Sequence, residues 1–242
     1  MTPLLWESLI IFLAGLIQGI TGFGFALIAV PLLAFFIPLK TVVPLVVILS
    51  LVTNLFIFWE TRKQVRLGEI RIITIFGLVG IPFGIVALQL LDSNLLKATV
   101  GMLITLTALA MFFGFKVKLR HRTLSSGMAG FLSGFFNGSI SMSGPPIVLF
   151  LANEDSSKGE FRANLTAYAV ITNIVTIGSF LFSRVIDPDV FGHSFPMLPG
   201  LLAGMGLGMV AARRINERIF RSIVLGLLVI TGIVTVSATL RA

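Results

Sequence analysis

The chain has 242 residues, 56% of them hydrophobic and only 12% charged, with a mean hydropathy of +1.04. Soluble domains carry roughly 25% charged residues, so this is the composition of an integral membrane protein rather than a soluble one. The net charge of +8 does not point to nucleic acid, because the basic residues stand in short stretches between apolar spans, and the absence of cysteine excludes disulfides, thiol chemistry and Cys-ligated metal.

The opening MTPLLWESLI has no basic n-region, and no cleaved signal peptide is expected. Charge-free apolar segments run at about 8–39, 41–59, 72–91, 98–115, 123–153, 163–183, 190–212 and 222–240. A crossing needs about 20 residues. Six of the eight segments fit one crossing each, and the seventh is expected to turn helical only near Met197. The first and fifth are too long, and each is interrupted by a Gly-rich run: AGLIQGITGFGF at 14–25 and SGFFNGSISMSG at 133–144. Lipid offers no water to a broken backbone, so such breaks survive only inside protein or against a cavity. Paired breaks in two half-chains point to a transporter's substrate site.

The halves repeat. At an offset of 119, Phe12 and Leu13 match Phe131 and Leu132, Gly15 matches Gly134, and Gln18 and Gly19 match Asn137 and Gly138. Thr53 and Asn54 match Thr172 and Asn173 at the same offset. Later the offset becomes 124, and Gly80, Gly84, Val86 and Ala87 match Gly204, Gly208, Val210 and Ala211. The reading is one membrane domain of two repeats. Repeat one covers 1–122, with a broken hairpin at 4–37 and helices at about 41–60, 71–91 and 95–115. Repeat two covers 123–242, with a broken hairpin at 124–152 and helices at about 162–183, 197–212 and 219–240.

Lys and Arg positions choose the topology. If segments one and five each go in and come back out, 14 of the 18 basic residues share one side; if every segment crosses once, there is no bias. The positive-inside rule selects the first arrangement. A hairpin plus three crossings is an odd number of passes, so the second repeat is inverted. The fold class is therefore an all-α polytopic membrane protein with inverted-topology repeats in the cell (inner) membrane, both termini outside. Legs of about 14 residues reach about 21 Å, which sets the hairpin tips near the bilayer middle, whether re-entrant or short crossings. Trp6 and Trp59 read as interfacial anchors, and His121 and His193 as loop residues.

Beyond each break a half-helix begins, near Phe25 and near Pro145. A helix N-terminus carries unpaired N–H groups and partial positive charge, which suits an anion. No Asp, Glu, Lys or Arg lies inside the eight apolar segments, and His193 precedes the expected helix start near Met197, so the candidate substrate contacts are neutral. At the first break they are Gln18, Gly19, Thr21, Gly22, Phe23 and Gly24; at the second, Asn137, Gly138, Ser139, Ser141, Ser143, Gly144 and Pro145. Asn54, Asn173 and Tyr168 follow on the next crossings, the two amides reading equally as interhelical bonds or substrate contacts. Gly80/Gly84 and Gly204/Gly208 fit small-xxx-small helix packing. No metal site and no cofactor is expected, and an embedded enzyme is disfavoured by the lack of catalytic side chains. An anion channel and a purely structural factor stay open as rivals.

The runs GLIQGITGFGFALIAVPLL at 15–33 and GFLSGFFNGSISMSGPPIVLFL at 130–151 resemble the paired signatures of the TauE/SafE sulfite exporter family, also called toluene sulfonate uptake permeases. The resemblance implies a secondary transporter moving sulfite, sulfoacetate or another sulfonate, by export, with a carrier of other organic anions as the alternative. It carries over to Gly15, Gly19, Gly22, Gly24, Gly134, Gly138, Gly144, Pro145 and Pro146; Ser141 and Ser143 depart from the glycine-richest motif. The expected partners are a small anionic substrate and the lipid bilayer, without nucleic acid. The oligomeric state is open, a homodimer included.

Overall fold

A computed structural model describes residues 3–112, 122–151, 157–186 and 188–216, with residues 219–220, 222–223 and 226. The elements are α1 (Pro3–Thr21), α2 (Phe25–Leu33), α3 (Leu39–Thr61), α4 (Leu67–Leu90), α5 (Ser93–Phe112), α6 (Arg122–Ile140), α7 (Gly144–Leu151), α8 (Lys158–Phe182) and α9 (Pro188–Arg214), with a 3-10 turn Arg62–Gln64 after α3. Among the described residues there is no strand, and five helices are long and apolar enough to cross a membrane. His121 and the last expected helix, 219–240, lie largely or wholly outside the described residues. Exposed Phe56, Phe76, Phe83, Leu90 and Phe182 form an apolar exterior that suits lipid. The Arg62 guanidinium lies 3.8 Å over the exposed Trp59 ring, anchoring that end of α3.

Each half-chain uses its broken pair to clasp the other half. α1 packs along α9, α6 along α4, and α3 crosses α8. Exchanging α1 with α6, α2 with α7, α3 with α8 and α4 with α9 carries the main pairings of these eight helices onto one another. The two clasps are built from backbone. A Cβ on Gly80 or Gly84 would collide with the carbonyls of Phe131 or Phe135, and one on Gly204 or Gly208 with those of Phe12 or Leu16. Glycine is therefore required at these crossings for the helices to approach. The same contacts run in register along both pairs, so α1 and α9 are parallel, as are α4 and α6. α3 and α8 are antiparallel: Ser50 meets Asn173, while Thr61 meets Thr166.

Four boundaries differ from the sequence reading. The hairpin legs are unequal: α1 has 19 residues and α2 only 9, about 28 and 14 Å at 1.5 Å per residue. The helix persists through Gly15 and Gly19, whose flanks pack on α9, and breaks only where Gly22 and Gly24 take φ of 81° and 100°. α6 likewise runs through Gly134 and Gly138 before Ser141 turns at φ 62°. α8 starts at Lys158 rather than 162, because Ser157 and Glu160 form a capping box. α9 starts at Pro188 rather than 197 and continues through Pro196 and Pro199, placing His193 in a helix. Proline is tolerated within membrane helices when neighbours re-satisfy the freed carbonyls.

Candidate functional site

The two breaks meet. An atom placed as Cβ on Gly144 would lie 3.3 Å from the Phe23 ring, so the second tip rests against the first. Beside this contact is a cavity of about 30 Å³ whose lining comes from both half-chains: Gln18, Gly22, Phe23 and Gly24 of the first break, Ser141, Ser143, Gly144 and Pro145 of the second, and Ser50, Asn54 and Tyr168 from the crossing helices. None of its lining residues is charged. Ligand sites for drug-sized molecules run to roughly 300 Å³ or more, so this cavity suits something of a few atoms.

Hydrogen bonding fixes the direction of the amides in the first relay. The Phe25 N–H, a donor by necessity, donates to Gln18 Oε1 at 3.0 Å. Gln18 Nε2 must then donate, and it does so to Asn54 Oδ1 at 2.8 Å. Asn54 Nδ2 in turn donates to Ser50 Oγ at 3.0 Å. The second half builds a matching relay at the same spacing. Asn137 Nδ2 donates to Asn173 Oδ1 at 3.2 Å and to Thr176 Oγ1 at 2.9 Å, and Asn173 Nδ2 donates to Ser50 Oγ at 3.3 Å. Both relays end on one hydroxyl oxygen. A hydroxyl has two lone pairs and one hydrogen; with both lone pairs taken, Ser50 is left as a donor.

The remaining expected residues separate into lining and scaffold. Thr21 is turned inward, its hydroxyl sharing its one hydrogen between the Ile17 and Phe23 carbonyls and accepting from Phe23 N–H at 3.2 Å, which shapes the turn. Ser139 donates to Phe135 O at 2.8 Å, and Ser141 to Val43 O at 2.6 Å across the half-chain boundary. Tyr168, 1% exposed, borders the cavity and donates through its hydroxyl to Ser133, which bonds the Ser143 carbonyl. Gly19 and Gly138 lie in the helix clasps, against Met205 and Ile81 respectively, rather than on the cavity. Asn137 and Asn173 act through the relay and are not among the lining residues.

The half-helix ends are unequal as anion sites. In α2, Phe25 N–H is already held by Gln18, which leaves the N–H groups of Ala26 and Leu27, both lining residues, without an intrahelical acceptor. α7 opens with Gly144, Pro145 and Pro146, and the two prolines have no N–H to offer. The first break is therefore the richer donor surface.

Sequence matching passed over Ser50 because its repeat partner is Ala169. Its i,i+4 spacing from Asn54 places both on one helix face and was the available signal. Arg162 precedes the apolar segment at 163–183 and has the position of a loop cation in the sequence. It stands inside α8, 5% exposed, with Nη2 donating to Gly19 O at 2.8 Å, at the C-terminal end of α1.

Helices long and apolar enough to span, broken helices that meet at a small uncharged cavity, and hydroxyl and N–H donors on its lining together describe a polytopic membrane transport protein. The chain matches the family described as Sulfite exporter TauE/SafE over residues 8–235 and belongs to that family. No curated protein and no solved structure matches it. Family membership makes it a membrane transporter of the sulfite-exporter type rather than an enzyme.

Proposed function

We propose that the chain exports a small sulfur oxyanion, sulfite or a sulfonate such as sulfoacetate, across the cytoplasmic membrane by alternating access. The anion would bind in the central cavity between the two breaks. The observation that carries this reading is the convergence of two amide relays on Ser50 Oγ. It makes Ser50 a donor and, with the Ala26 and Leu27 N–H groups, gives a cavity whose free polar groups ask for an acceptor. A sulfur oxyanion presents only acceptor oxygens, and neutral donors can replace part of its hydration shell. The antiparallel crossing of α3 with α8 and the exchangeable pairing of the two halves support inverted repeats that rock about this cavity. The basic residues Arg62, Arg66, Lys158, Arg162 and Arg213 gather at the end where α3 stops and α8 starts, which supports that end as the cytoplasmic face. A cavity this small supports a carrier over an open anion channel.

The test is a thermal-shift screen of the purified chain against sulfite, sulfoacetate, sulfate, acetate and chloride, followed by counterflow in proteoliposomes. Binding to the folded state alone stabilises by about 2.7 kcal/mol at a hundredfold excess over Kd. Stabilisation and counterflow with sulfite or sulfoacetate, absent with acetate, are expected. A response to carboxylates alone would replace the sulfur-anion reading with an organic-anion carrier; large unsaturable currents would replace the carrier with a channel.

A further inference from the structure

We infer that Arg162 and Glu60 form a second anion site, in a vestibule on the basic face, where a passing oxyanion takes the place of the Glu60 carboxylate beside the Arg162 guanidinium. This rests on the transport reading above and adds to it an entry or exit station and the residues that make it.

An open recess of about 600 Å³ lies at this face, bordered by Glu60, Gln64, Lys158, Arg162, Arg213 and Asn216. Arg162 is its buried wall. Its guanidinium is permanently charged, yet its Nε has no hydrogen-bond partner among the described residues. Among the described residues Glu60 Oε2 is the nearest counter-charge, 3.8 Å from Arg162 Nη2, too far for a hydrogen bond, and it too is buried and without a partner there. Buried charges normally reach full hydrogen bonding, since a half-made pair recovers little of its desolvation. Here the unmade bonds are a carboxylate and a guanidinium fork that do not close on each other. Guanidinium grips planar or pyramidal oxyanions through such paired N–H groups.

Glu60 also has somewhere to go. Its Oε1 accepts from Arg213 Nε at 2.9 Å, and Arg213 is 69% exposed, so the carboxylate keeps a cation partner when an anion displaces it from Arg162. The site adjoins the central cavity. Along α8, Arg162 borders the vestibule while Leu165, about one turn on, borders the cavity. Next to Arg162 in the chain, Phe161 packs edge-on against Phe23, ring centroids 6.4 Å apart, and Phe23 lines the cavity. Arg162 itself holds the end of α1 through Gly19 O, and its stem lies against Gly22 at the break. An anion drawn to Arg162 therefore sits against the first break, whose Gly22 and Phe23 line the central cavity.

Calorimetric titration of the purified full chain with sulfite separates the two sites. Wild type is expected to show a tighter central site and a weaker second one. Glu60→Gln removes the competing charge and should tighten the weaker site by about tenfold, within the usual range for coupled sites. Arg162→Gln should remove the weaker site and keep the tighter; Arg162→Lys should retain it weakened. Ser50→Ala should weaken the tighter site about ten- to hundredfold and leave the weaker one unchanged. If Arg162→Gln fails to fold, Glu60→Gln decides. Absence of a second site in both wild type and Glu60→Gln, or two unchanged sites in Arg162→Gln, overturns the vestibular site and leaves Arg162 a cap on α1. Weakening of the central site in Ser50→Ala would at the same time keep the transport reading standing. The reverse pattern, with Glu60→Gln altering sulfite binding and Ser50→Ala not, would sustain the vestibule and sink the central site.

Discussion

Replacing Ser50 with alanine removes one oxygen atom that two buried amides share. Asn54 and Asn173, 1% and 2% exposed, donate to it at 3.0 and 3.3 Å. Without it both N–H groups lose their acceptor, and an unsatisfied buried donor costs about 1–3 kcal/mol. The cavity beside Ser50 is large enough for one water, which can satisfy one of them, so a net loss of about 2 kcal/mol is expected. For a chain of this length that is about 4–8 °C in Tm. Binding suffers separately. A hydrogen bond to a charged group contributes about 1.5–3 kcal/mol, so losing the Ser50 donor should weaken sulfite binding about ten- to hundredfold. Ser50→Thr keeps the hydroxyl and should keep most of the affinity. Thermal unfolding with and without sulfite reads both effects. A Ser50→Ala protein that binds sulfite within twofold of wild type would refute the argument that two relays leave this hydroxyl as a substrate donor.

Gly134→Ala puts a methyl group into the Gly77 carbonyl and should cost at least about 3 kcal/mol by parting α4 from α6, whereas Gly178→Ala, with nothing within 4 Å, should be neutral or slightly stabilising; unfolding midpoints in one detergent compare them. At Ser141, φ is 62° and the hydroxyl bonds Val43 O. Ser141→Ala keeps the strained backbone and loses the bond, while Ser141→Gly loses the bond and relieves the strain, so the glycine variant should be the more stable by about 1 kcal/mol. Gly144→Leu should abolish sulfite counterflow by driving Phe23 into the cavity while the protein still inserts and folds, and Gly144→Ala should retain some flux because a ring edge at 3.3 Å can give way. Wild-type flux in Gly144→Leu would show that the two tips do not enclose the substrate.

What the sequence determined was everything carried by composition, length and period. Continuous apolar runs near the thickness of a bilayer demand membrane helices, because a helix satisfies its backbone within the segment, whereas the strands of a closed barrel alternate apolar and polar residues. The offset of 119 exposes the duplicated halves, and the runs at 14–25 and 133–144 mark where helices break. The capping box at Ser157 and Glu160 and the spacing of Ser50 from Asn54 were legible as well, though charge counting and repeat matching obscured them. Tertiary structure alone decided what each glycine does. Gly19 and Gly24 look alike in sequence, since neither has a side chain to declare its role. Only the arrival of Met205 at one and the left-handed turn at the other separate helix clasp from break. The same holds for polar groups. Whether a hydroxyl is spent on its own helix, as in Ser139, or left to donate, as in Ser50, depends on which amides a distant half-chain brings to it. Arg162 is the clearest case. Its charge is written in the sequence, but its burial against Gly19 and its unclosed pair with Glu60 come from helices packed across the two halves, and no local pattern encodes them.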